Sequence, residues 1–86
     1  MIFNLYSIKD VVADEFGPVF QSVNDGVAVR SAVNVLKSAE NPADYELYRI
    51  GAFNSDTGAL APEHAERINF ILSPDRKIAV LEGGNE

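Results

Sequence analysis

One stretch of the chain carries a helical hydrophobic period, and it limits the fold more than any other feature. Between Val27 and Lys37 the residues Ala28, Val29, Ala32, Val33, Val35 and Leu36 fall on one broad stripe. Asn24 stands just ahead of it, and its side-chain oxygen can accept an amide hydrogen left unpaired in the first turn. Asp25 adds negative charge at the positive end of the helix. The valines of the stripe lower intrinsic helix propensity, so packing has to hold the helix in place. A stripe of this kind needs a surface to cover, and the rest of the chain reads as strands.

Residues 2–8 (IFNLYSI) have the β-branched and aromatic content of a strand with apolar groups on both faces. Ile2, Tyr6 and Ile8 share one face; Phe3 and Leu5 share the other. Lys9 to Glu15 reads as a connector, Phe16-Gly17-Pro18 interrupts regular structure, and Val19 to Val23 forms a short second strand. After the helix, 38–44 is a loop in which Pro42 blocks further helix. Tyr45 to Phe53 (YELYRIGAF) is the clearest strand, and 54–58 (NSDTG) is a hairpin loop with Gly58 supplying a positive φ. A return strand over 59–61 is expected to stop at Pro62, another strand covers Arg67 to Leu72, and 73–76 is a turn. Lys77 to Leu81 fits a strand or a short helix.

The expected fold is therefore α+β. A small, mainly antiparallel sheet of four to five strands carries one helix across it, in the order β-β-α-β-β. It forms a single domain over residues 1–81, followed by a flexible tail at 82–86. A chain of 86 residues holds one core, and strands apolar on both sides exceed what one helix can cover. A homodimer joined at a sheet edge or a sheet face is expected to bury the remainder.

Composition excludes several kinds of chemistry. The absence of cysteine removes disulfides, thiolate metal sites and thiol nucleophiles. No run approaches the roughly 18 apolar residues of a membrane span, and the N-terminus lacks the basic segment of a signal peptide. A cytoplasmic protein without membrane contact is expected. Seven basic against thirteen acidic residues give a net charge of −6. Nucleic-acid affinity rests on neutralised phosphates, so this balance opposes strong nonspecific DNA binding. Any DNA contact would need the few cations gathered on one face.

His64 is the only histidine, and no converging ligands accompany it, so it reads as a surface residue. Asp10, Asp14 and Glu15 read as a solvated acidic loop, and Gly26, Gly51 and Gly58 belong to no phosphate-binding motif. Neither an enzyme nor a cofactor nor a metal is expected. What remains is Arg30 and Lys37 on the outer helix flank, and Arg49 beside Tyr48 on the long strand. Basic tracks with aromatic platforms hold single-stranded nucleic acid, which makes Arg30, Lys37, Arg49 and Tyr48 the candidate DNA-binding residues. On the residues alone, the simpler account is solubilising charges and a tyrosine of the core or an interface.

The chain resembles the small nonstructural protein of gokushovirus-type microviruses, phages with circular single-stranded DNA. The resemblance runs through YSIKD (Tyr6 to Asp10), Gly17-Pro18-Val19-Phe20 and NDGVAVR (Asn24 to Arg30). It continues in NPADYELYRIGAFN (Asn41 to Asn54) and DTGAL (Asp56 to Leu60). It implies a non-virion protein of the host cytoplasm that binds DNA and controls the switch between genome replication and single-strand packaging. Arg30 is the arginine carried over from the motif; two residues later, where the family often has an aromatic, stands Ala32. The partners implied are single-stranded DNA and phage replication or capsid proteins. The alternative is an acidic interaction module that docks a basic protein of that kind without touching DNA.

Overall fold

Helix α1 (Asp25–Leu36) starts where its cap dictates: the Asn24 side chain accepts the Val27 N–H at 2.9 Å. The computed structural model describes residues 1–81, so the tail expected at 82–86 lies outside them. Ahead of α1 come β1 (Ile2–Asp10), β2 (Glu15–Phe16) and β3 (Phe20–Ser22). After it come a 3-10 turn at Pro42–Asp44, then β4 (Tyr45–Asn54), β5 (Leu60–Ile68), β6 (Phe70–Leu72) and β7 (Ala79–Leu81).

The long strands β1 and β4 pair antiparallel from Ile2↔Asn54 to Asp10↔Tyr45 and form the spine of a curled, half-barrel sheet. β5 adds outside β4, while β2 and β3 follow one another along the free edge of β1. The result is the expected α+β arrangement of one helix on a five-stranded antiparallel sheet. The core forms where α1 meets the sheet: Tyr6, Ala28, Val29, Ala32, Leu36, Leu47 and Ile68 are all buried. Val35, counted on the apolar stripe, sits at its margin and stays 48% exposed.

The structure departs from three local expectations and decides a fourth that the sequence left open. β5 does not stop at Pro62 but runs through it. It is an edge strand, where a missing N–H on the open side breaks no ladder. Opposite lies Gly51, where a Cβ would come within 2.7 Å of the Ala61 carbonyl oxygen. The register shifts at Ile50 against both neighbours, so β4 bends there and Glu63 to Ala65 have no partner in the ladder. The strand expected over 67–72 is cut at Asn69, and β6 leaves the large sheet to pair with β7. Lys77 to Leu81 resolves as a strand at Ala79–Leu81, and that hairpin packs along α1. The connector at 9–15 is shorter than expected, because Asp14 (φ 56°) turns the chain back into β2.

Pairing alternates the side chains between two faces. Tyr6 and Leu47 point toward α1, whereas Phe3, Leu5, Tyr48 and Phe53 lie on the face turned away from it. Among the described residues no helix lies on that second face.

Candidate functional site

The four candidate residues do not share one surface. Arg49 sits opposite Tyr6 on the helix-facing side of β4 and reaches the first turn of α1. Its Nη1 donates to Asp25 Oδ2 at 3.2 Å, its Nη2 to Glu66 Oε2 at 2.9 Å, and its Nε lies 3.5 Å from Glu63. Burial opposes the Arg49 charge, but Asp25, Glu66 and Glu63 outweigh it and raise the guanidinium pKa. Three carboxylates thus surround a side chain only 24% exposed. A phosphate would have to displace them.

Asp25 ties this cluster together. Besides Arg49 it accepts the Tyr6 hydroxyl hydrogen at 2.5 Å, while the Tyr6 oxygen accepts from Asn4 Nδ2 at 3.1 Å. Burial, followed by the bond to Asp25, pushes the Tyr6 phenol up to about 12. Placed in the first turn of α1, the same carboxylate also complements the helix dipole. Its partners come from β1 and β4, and Arg49 in turn draws in Glu63 and Glu66 from β5, elements distant in sequence.

Tyr48 lies on the opposite face of the sheet from α1. Its hydroxyl donates to Glu46 Oε1 at 2.7 Å, and its ring meets Phe16 edge-on at 5.3 Å. The bond to Glu46 raises its pKa. Lys9 stands over the Phe16 ring at 5.5 Å and pairs with Asp14 at 3.1 Å. This face is aromatic, and its cations Lys9 and Arg67 are both paired with carboxylates.

Arg30 and Lys37 lie together on the exposed flank of α1. Between that flank and β7 runs an open groove of about 560 Å³, lined by Arg30, Lys37 and Lys77 around Val33, Ile78 and Val80. Among the described residues no carboxylate lines it, and none of the three cations enters an ion pair. The other cations are committed: Lys9, Arg49 and Arg67 to carboxylates, and Arg76 to the Ala39 carbonyl. Sequence reasoning missed Lys77, which the β6–β7 turn carries back to the helix. No local signal marks it.

Ala32, two residues after Arg30, is 1% exposed in the core. His64 is exposed in the irregular stretch of β5. No helix among the described residues is long and apolar enough to cross a membrane.

The described residues thus define a small α+β protein in which one capped helix packs on a curled antiparallel sheet and carries a cationic flank. The chain belongs to the Phage ORF5 protein family, whose model matches residues 3–73, well over half of its 86 residues. It is thus a bacteriophage-type protein. No curated protein and no solved structure gives a significant match.

Proposed function

We propose that the chain is a non-virion phage regulator of the gokushovirus-type microviruses, acting in the host cytoplasm at the switch from genome replication to single-strand packaging. In this reading it has no catalytic step and contacts single-stranded DNA weakly, through the groove between α1 and β7. One observation carries the contact: Arg30, Lys37 and Lys77 line one groove with no acidic partner among the described residues. In a chain of net charge −6, such a concentration of unmatched cations is where a polyanion meets least repulsion. Val33, Ile78 and Val80 give the groove an apolar floor against which a base can rest. Arg49 and Tyr48 take no part, the first serving the fold and the second the far sheet face.

The same reading makes the protein a homodimer. The far face of the sheet presents Phe3, Leu5 and Phe53, and Leu60 beside Phe53 is 67% exposed. Sedimentation at high micromolar concentration is expected to show dimer; a monomer alone removes this part of the proposal.

The test is fluorescence anisotropy with labelled oligo-dT across a salt series. Three neutralised phosphates at about −0.7 each give a slope of log affinity on log salt near −2. Replacing Arg30, Lys37 and Lys77 together by alanine is expected to abolish binding. Absence of binding to the unaltered chain at low salt refutes the DNA reading. A much steeper slope means that several chains pool their cations.

A further inference from the structure

On another flank of α1 a second groove, of about 570 Å³, runs between the helix and the connection from β2 to β3. Its walls are Ile8, Pro18, Phe20, Val35 and Tyr45, joined by Asp10 and Glu15. Among the described residues no lysine or arginine lines it. We propose that this groove docks a segment of another protein in which apolar side chains alternate with lysine or arginine. The proposal stands independently of the DNA reading.

The groove is held open by the chain itself. The Gly17 N–H donates to the Ile8 carbonyl at 2.9 Å, and Ser7 Oγ donates to the Gly17 carbonyl at 2.9 Å. A Cβ at Gly17 would press within 3.3 Å of that Ile8 oxygen, so glycine permits the close approach. These bonds fix the β2–β3 connection on β1 beside the helix, and a preformed site spends less ordering entropy on a ligand. Apolar surface stays uncovered around it: Val35 is 48% exposed and Val19, next to Pro18, is 59% exposed.

Charge selects the occupant. Asp10 and Glu15 are directly opposed across the β1–β2 pair, where like charges destabilise an antiparallel ladder. Neither enters an ion pair among the described residues; the nearby Lys9 is drawn to Asp14 instead. Among the described residues the Asp10 carboxylate accepts only the Val12 and Ala13 N–H groups. A cation brought by a partner relieves this opposition while its apolar neighbours cover Phe20 and Val35. Nucleic acid, anionic lipid and the acidic sequence EGGNE at 82–86 are all disfavoured by the same two carboxylates.

The experiment uses the full chain and three short labelled peptides, of alternating Leu-Lys, Leu-Glu and Ser-Lys. Only the Leu-Lys peptide is expected to bind, shifting the amide NMR signals of Gly17, Val19 to Gln21, Ser31 and Val35. Val35→Lys and Glu15→Lys are each expected to weaken it about tenfold, through a cation buried under the ligand and a lost attraction. Lys37→Ala is expected to leave it unchanged. Glu15→Lys removes the opposed acids and should not lower the melting temperature, which separates lost binding from lost folding. Equal binding of the Ser-Lys or Leu-Glu peptide overturns the proposal, as do shifts confined to the far sheet face. Self-association abolished by Val35→Lys also overturns it, by giving the groove to a second copy.

Discussion

Arg49 and Arg30 occupy two ends of one question about helix α1. At the helix N-terminus Arg49 is held by Asp25, Glu63 and Glu66, and its charge is spent inside the fold. On the outer flank Arg30 shares a groove with Lys37 and Lys77, and no carboxylate among the described residues reaches them. Both arginines look alike in sequence as cations near apolar positions. What separates them is whether distant strands deliver acids to the same place. A caged cation supports stability and resists ligands; a free one adds little to stability and remains open to an anion.

The largest test of this contrast is Arg49→Ala. It leaves Asp25, half-buried, without its main counter-charge, while Glu63 and Glu66, both exposed, lose a partner but keep their contact with water. Fully buried pairs cost about 3–5 kcal/mol to break, and partial exposure here reduces the expected loss to about 2 kcal/mol in urea denaturation. Arg49→Lys should recover less than half, since one ammonium cannot span three carboxylates. A loss no larger than that of Arg30→Ala would erase the distinction between the two sites.

Tyr6→Phe comes next, at about 1.5 kcal/mol, because it removes the hydroxyl between Asp25 and Asn4. It also sharpens the comparison by pH. The folded chain holds the Tyr6 proton up to about 12, against an ordinary value of 10.0 when unfolded. This contribution is fully present below pH 10 and is lost as pH rises through 12. The unaltered protein should therefore lose stability across that window by more than Tyr6→Phe does. Parallel curves would mean that Tyr6 does not bond Asp25 in solution.

Asn24→Ala probes the same end of the helix with a smaller expected effect, about 1 kcal/mol, since it frees the Val27 N–H that Asn24 accepts. An unchanged denaturation midpoint would move the helix start away from Asn24.

These residues differ in how far a linear reading can see them. The cap at Asn24, the stripe of α1 and the strand from Tyr45 are legible because each depends on neighbours within a turn or a pleat. Gly58, with φ of 77°, is legible for the same reason. The passage of β5 through Pro62 is not, because proline in a strand signals a break unless one knows that the strand is an edge. The bulge at Ile50 and the split at Asn69 depend on curvature of the whole sheet. The cage of Arg49 joins residues from α1, β4 and β5, and the groove of Lys77 joins the β6–β7 turn to a helix some forty positions earlier. Sequence shows which charges exist; only tertiary contact shows which remain unspent.

The smallest expected effect is the most discriminating one. Replacing Arg30, Lys37 and Lys77 together by alanine should change unfolding free energy by less than about 0.5 kcal/mol, as is usual for surface sites, since none of the three has an ionic partner among the described residues. The sign is set by two weak, opposed terms. Removing three like charges from one groove relieves local repulsion, while the loss of three positive charges takes the chain from −6 to −9 and increases its overall self-repulsion. Both terms are screened at physiological salt, where the Debye length is about 8 Å. At low salt the global term has the longer reach, so a slight destabilisation should emerge there and vanish on adding salt. A loss of 2 kcal/mol that persists at high salt would mean that these cations are held by contacts of the Arg49 kind. In that case the flank would be part of the scaffold, and the contrast between the caged N-terminus and the free flank of α1 would fail.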